Sequence, residues 1–294
     1  MEKREFIIEK SPQKEWGWLI ILALFFTGSG AGAVFFALIL GSVTRMLMGV
    51  ILVFVGALFL LADLSRPLSG WRVILRPQSS WVSRGALGIL IFFVLSILHI
   101  VSLFLHQGGW TSLSDAPWTT GPAWLIILGV FAGTTALFVA AYPGFLLGSM
   151  RAIPFWHSAI FPVLFMISGL LCGLGEIYLM PLPWEKQTWG MALVKNLSVG
   201  LVILGFILLL SLILTVRPET TRESVKLLTK GLLRAQFIAG VICGGVIGPL
   251  IILVLVFGGV VGTSLLPIAG ILLTFGMLLF RYSMLRAGIY TTPV

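Results

Sequence analysis

Asp63 and Arg66, in the run Asp63-Leu-Ser-Arg66-Pro67, set a carboxylate three residues before a guanidinium at the end of an apolar stretch. Such a pair either closes a helix end or forms a proton-accepting site, and the residues alone leave both readings open. Glu176 lies far along another apolar run, where a carboxylate either snorkels to the nearer surface or carries protons. His99 and His106 are seven apart, on one helical face. They cannot ligate one haem iron from both sides of the porphyrin, and His157 is expected at the opposite surface. Cys172 and Cys243 stand singly, whereas an iron–sulfur cluster or a structural zinc needs about four clustered ligands. Neither haem nor iron–sulfur cluster is therefore expected in this chain. The sequence also holds no phosphate-cradling loop and no His-Glu-x-x-His helix.

These residues must be positioned by a polypeptide of 294 residues that is 59% hydrophobic and only 10% charged. Its mean hydropathy is +1.10. A soluble domain carries about 25% charged residues, so this one belongs in a bilayer. That excludes a disulfide scaffold, a disordered regulator and a nucleic-acid binder, despite the net charge of +9. Apolar stretches near the ~20 residues that cross a bilayer fall at Trp16 to Leu40, Arg45 to Ala62, Gly85 to Leu105 and Ala123 to Gly148. Four more fall at His157 to Met180, Val194 to Val216, Ala235 to Phe257 and Gly262 to Leu285. The expected fold is all-α and polytopic, with eight transmembrane helices in two four-helix bundles. Residues 1–15 form a tail, 16–148 the first bundle and 149–294 the second. Glycines at 28, 30 and 32 in the first span and at 169, 173 and 175 in the fifth hint at an internal repeat.

Eight spans leave both termini on one side. Sorting the 19 Lys and Arg by loop puts 16 on the side of the termini and three, Arg45, Lys186 and Lys195, on the other. The positive-inside rule then expects both termini in the cytoplasm of a plasma (inner) membrane protein. Tryptophans at 110, 118, 124, 184 and 189 suit a headgroup belt on the far side.

Two segments go beyond composition. Asp63-Leu-Ser-Arg-Pro-Leu-Ser-Gly-Trp71, with Pro77-Gln-Ser-Ser-Trp-Val-Ser-Arg-Gly-Ala86, resembles the Asp-Leu-Gly-Arg-Pro and Ser-Ser-x-Met-Ser-x-Gly-Ala stretch of the NrfD/PsrC family. Tyr142-Pro143-Gly144, Ile153-Pro-Phe-Trp156-His157 and Phe161-Pro162 through Ser168-Gly169 resemble that family's pattern between the fourth and fifth spans. The resemblance implies a membrane anchor that exchanges electrons with a quinone, menaquinone or ubiquinone. Its partners would be an iron–sulfur subunit and, through it, a catalytic subunit that is often a molybdopterin enzyme. The isolated chain would hold no catalytic centre. By motif position Tyr142 stands at the quinone head, Asp63 is a proton carrier with Arg66 as ionic partner, and His157 stands where Asn is commoner. Asp63, His99 and Glu176 mark a candidate proton path at three depths.

The resemblance also implies that the partner docks on the face bearing the N-terminus, outside the cell in many members. The charge count places that face inside. Either the complex faces the cytoplasm, or some basic residues dock an acidic partner. The competing functions are a secondary transporter or proton-conducting protein, expected to cluster polar groups near the midplane, and a purely structural anchor.

Overall fold

In a lipid environment apolar side chains gain little by leaving lipid for one another, so helices associate where small residues let backbones approach. The computed structural model describes residues 8–64, 78, 80–108, 121–181, 188–215 and 219–293. Among these, eight helical segments are long and apolar enough to cross a membrane. Six are single helices: α1 (Trp18–Leu40), α2 (Val43–Asp63), α3 (Trp81–Gln107), α4 (Ala123–Gly148), α5 (Ile160–Leu179) and α6 (Trp189–Leu214). The short α7 (Glu219–Thr229) precedes a seventh span made of a π-helix (Ala235–Ile247) running into α8 (Gly248–Phe257). The last span, α9 (Leu266–Arg286), follows a 3-10 turn.

Burial singles out two of these spans. The most apolar stretches of α1 and α5 are 72% and 78% buried, against 28–39% in the others. Both sit at the centre, packed on each other. Around them, α1 also packs on α2 and α4, α5 on α4, α6 and α9, and α3 on α4 and α2. The two glycine runs read as a repeat are each other's contact. A Cβ on Gly32 would strike the Gly169 carbonyl, and one on Gly173 would strike the backbone of Gly32 and Ala33. The α1–α2 crossing uses the same device, Gly30 against Gly49 and Gly56 against Thr27. Between those helices the backbone reverses at once through Gly41, whose φ of 61° is in the left-handed region that glycine adopts freely.

Three features differ from the sequence reading. The seventh span is not uniformly α-helical. Pro249 has no N–H to return to Gly245, and the glycines at 240, 244 and 245 permit the wider winding of the preceding segment. Helix α7 was not expected; its Arg222 and Lys226, and Lys230 just past its end, are exposed while Thr221, Ser224 and Leu228 are buried. The terminal segments are not mere tails. Strands β1 (Ile8–Pro12) and β2 (Ile289–Pro293) pair antiparallel, Ile8 opposite Pro293 and Pro12 opposite Ile289. Gln13 N–H extends the ladder to the Gly288 carbonyl at 2.9 Å, and the Tyr290 hydroxyl donates to Glu15 at 3.1 Å. Partial burial and the Glu15 carboxylate both push that phenol up. The ribbon ties the two ends of the protein together on one face of the bundle.

The central crossing makes a direct prediction. Gly32→Leu should cost about 1–3 kcal/mol or more through overpacking, read as a lowered midpoint of thermal unfolding in detergent. Gly200→Ala, at a helical position with nothing within 4 Å, should be neutral or slightly stabilising. Equal midpoints for Gly32→Leu and the parent would refute the close crossing.

Candidate functional site

The end of α4 and the start of α3 build a ladder of rings and gaps. Residues 138, 142 and 145 recur at helical spacing on one stripe of α4, and 81, 85 and 88 do so on α3. A Cβ on Gly88 would strike the Phe138 ring, and one on Gly85 would strike the Tyr142 ring, so each glycine is the space its partner ring occupies. On the next rung Trp81 and Phe145 stack, centroids 5.1 Å apart and planes 4° from parallel. The Arg84 guanidinium lies 4.7 Å from the Trp81 centroid and donates to the Gln78 carbonyl at 3.0 Å. Tyr142 is 5% exposed, whereas Phe145, one turn outward, is 37% exposed. The result is an aromatic shelf open to the bilayer, with a phenol buried behind it and a guanidinium at its rim. Such a shelf suits a flat apolar ring that carries carbonyl oxygens.

The motif Tyr142-Pro143-Gly144 has a local cause for each residue. Gly144 points about 200° away from Tyr142 around the helix. There a Cβ would strike Phe161 and Pro162 at the start of α5. Pro143 is accommodated inside α4 within two turns of its end. Trp156, part of the same resemblance, is fully buried and pins the α4–α5 connection. Its indole N–H donates to the Met284 carbonyl at 2.9 Å, and its ring packs on Trp16.

The other expected site residues are dispersed. Asp63 is exposed at the last residue of α2, a helix that packs on α1 and α3 and makes no extended contact with α4. Arg66 lies outside the described residues. His157 is exposed in the connection before α5, with Nδ1 2.6 Å from the Gly148 carbonyl. It lines a cavity among α5, α6 and α7, on the opposite side of α4 from Tyr142. His99 is buried on α3 with its Nδ1 unpartnered among the described residues, as is the Ser96 hydroxyl one turn earlier. His106 is exposed. Helix α3 makes no extended contact with α5, so the structure does not join His99 to Glu176.

Glu176 requires a correction. It does not snorkel: its carboxylate is buried about 24 Å along α5, counting from Ile160. Its companion was not anticipated. Arg281, counted above among the basic residues of the terminal face, is 0% exposed inside the bundle. Its Nε donates to the Leu24 carbonyl at 3.1 Å and its Nη1 to the Met277 carbonyl at 3.3 Å, with the guanidinium carbon 5.9 Å from the Phe25 centroid. Gly28 makes the room, since a Cβ there would strike Nη2. Between Arg281 and Glu176 lie Ser29, Cys172 and Thr274, which interact with one another or with the two charges. Among the described residues Glu176 Oε2, Arg281 Nη2 and Thr274 Oγ1 have no hydrogen-bond partner. A polar seam thus runs through the α1/α5/α9 interior. Two ionisable side chains buried in a bilayer are costly, which makes the seam a candidate functional site. The signal for Arg281 was its place five residues inside the final span, with glycine at the facing position of α1.

Arg45 is also buried, donating to the Ser42 hydroxyl at 3.1 Å and to the Pro181 carbonyl at 2.8 Å. Leaving out both interior arginines keeps the loop charges lopsided, 15 against two.

The seam is testable through its clearance. Gly28→Val should displace the guanidinium and cost about 1–3 kcal/mol. Combining it with Arg281→Met should give less than the sum of the two single losses in thermal unfolding, because the clash is gone. Strict additivity would show that Gly28 does not house Arg281.

The protein matches a known family from end to end. The profile described as "Polysulphide reductase, NrfD" covers residues 7–293. The C subunit of polysulfide reductase from Wolinella succinogenes is 26% identical over 309 aligned residues, covering 96% of each polypeptide. Protein NrfD of Escherichia coli K12 is 27% identical over 187 residues, 54% of this sequence and 57% of that protein. Eight apolar spans, the aromatic shelf at the Tyr142 motif and a match over nearly the full length lead to one assignment: this multi-pass membrane protein belongs to the polysulphide reductase NrfD family.

Proposed function

We propose that this protein is the quinone-reactive membrane subunit of a multi-subunit respiratory oxidoreductase. It passes electrons between menaquinone or ubiquinone in the bilayer and a partner iron–sulfur subunit, which serves a catalytic subunit. Support comes from family membership and from a relative that is itself named as one component of a polysulfide reductase. The observation that carries the reading is the shelf of Phe138, Tyr142, Trp81 and Phe145, open to lipid at one edge with a phenol behind it.

A quinol gives up two electrons and two protons, so its site needs an apolar bed for the ring, a donor for an oxygen and an acceptor for protons. Here the aromatic rungs supply the bed and the Tyr142 hydroxyl the hydrogen bond. Asp63, at the same end of the bundle with Arg66 three residues on, takes the proton at its carboxylate. His157, facing a different cavity, has no part in this arrangement. Of the three residues considered for a proton path, Glu176 is the one supported by neighbours. The α1/α5/α9 seam gives it hydroxyls and a counter-charge. That seam also favours the second reading, proton conduction coupled to the electron step. The lopsided loop charge supports a cytoplasmic position for the ribbon and for the docked partner.

In the purified complex, Tyr142→Phe should lower quinol turnover by at least about tenfold, and Asp63→Asn by about a hundredfold. Full turnover in both variants removes the quinone site from this shelf. Glu176→Gln should leave turnover in detergent intact and abolish proton movement in vesicles; unchanged proton movement eliminates the second reading. A reporter fused after Val294 should be active only in its cytoplasmic form. The opposite result moves the partner to the other compartment.

A further inference from the structure

The cavity that His157 lines, about 490 Å³, lies where the α4–α5 connection, the start of α5, the end of α6 and the start of α7 meet. Its polar lining is all donor-capable: Arg151, His157, Ser158, Thr215 and Thr221, with no carboxylate among the described lining residues. His157 is held by its Nδ1, which donates to the Gly148 carbonyl, so Nε2 is the ring nitrogen left for a ligand. Arg151 is exposed and makes no ion pair or hydrogen bond among the described residues. Helix α5 begins at this cavity without a side-chain cap; the Phe161 N–H donates to the Ser158 carbonyl at 3.1 Å and Pro162 has no N–H, so the helix start adds the positive end of its dipole rather than a row of free donors. Pro154, Phe155 and Ile160 give the remaining wall an apolar surface.

From this set we infer a binding site for a phosphate-bearing anion, seated on Arg151 and His157 against the uncapped start of α5. Guanidinium, imidazole and hydroxyls around one hollow match phosphate oxygens, and the hollow is larger than one phosphate group needs. The apolar wall of Pro154, Phe155 and Ile160 leaves room for an acyl chain where the phosphate is carried by a lipid. The cavity lies at the helix ends on the strongly basic face, next to α7, whose Arg222 and Lys226 are exposed while Thr221, Ser224 and Leu228 are buried. That is the level of lipid headgroups, where basic residues gather anionic lipid. The phosphate can reach it on an anionic phospholipid or free from the aqueous side. The site shares no residue with the aromatic shelf or with the buried seam, and it stands whether or not the quinone reading does.

The test uses the full-length protein, delipidated in neutral detergent, with native mass spectrometry and thermal unfolding as readouts. The probes are dioleoylphosphatidylglycerol, dioleoylphosphatidylcholine and inorganic phosphate. A phosphatidylglycerol adduct of one per protein molecule that raises the unfolding midpoint and is weakened about five- to tenfold by Arg151→Gln supports the site with a lipid source. Protection by inorganic phosphate alone, lost in the same variant, supports the site with an aqueous source. Lys230→Gln removes an equal charge outside the cavity and should leave either effect in place. Equal adducts with phosphatidylcholine, or binding that Arg151→Gln and Lys230→Gln weaken to the same degree, overturn the proposal. Because Arg151 is exposed and unbonded among the described residues, its substitution leaves the fold to report. His157→Gln, retaining a side-chain hydrogen-bond donor toward Gly148, provides a second variant expected to weaken the same ligand.

Discussion

The close crossing of α1 and α5 is the contact from which the rest of the architecture follows. Lipid tails are as apolar as leucine, so burying leucine between helices yields little in a bilayer, and backbone approach has to supply the association. Gly32 against Gly169, and Gly173 against Gly32 and Ala33, bring two backbones together where any side chain would collide. Once these helices touch, every other span has a place beside one or both, or beside a helix they hold. Their heavy burial, compared with the lipid-exposed faces elsewhere, follows from that centrality.

The same crossing explains how a charge can be kept inside the membrane. Glycine at position 28 leaves a gap of the size of a guanidinium, and the adjoining helical carbonyls of Leu24 and Met277 satisfy part of it. Serine, cysteine and threonine extend the polar surface toward Glu176. Small residues therefore do two things on one helix: at Gly32 they admit a backbone, and at Gly28 they admit a charge. The aromatic shelf on α3 and α4 uses the principle again, with Gly85 and Gly88 as receptacles for Tyr142 and Phe138. The shelf is built on α3 and α4 and the seam on α1, α5 and α9, with no residue in common. Any coupling between electron and proton chemistry would have to pass through the packing of α1 with α4 and α5.

Much of the fold was legible before any coordinates. The eight spans, their boundaries to within a few residues, and the even parity that brings the termini to one face all follow from apolar run length against bilayer thickness. The resemblance was legible where unusual residue types recur at fixed spacing, as in Tyr142-Pro143-Gly144. Less was legible where a partner in space decides the matter. Snorkelling stayed open for Glu176 because sequence depth alone placed it near a surface, whereas its neighbours on α1 and α9 enclose it. Arg281 read as a loop charge because it stands five residues from the end of α9, within the usual blur of helix ends. The pairing of Ile8–Pro12 with Ile289–Pro293 joins segments nearly 280 residues apart and leaves no local pattern.

By itself the sequence determined the solvent, the number of crossings and the sidedness of charge, because these depend on transfer free energies summed along the polypeptide. Tertiary structure alone decided which glycines face one another, which arginine is interior and which ring sits behind which. Each of those outcomes depends on the rotation of one helix about its axis relative to another. A helix hydrophobic on all sides carries no moment to announce that rotation. Contact between backbones, set by a handful of missing side chains, is what fixes it.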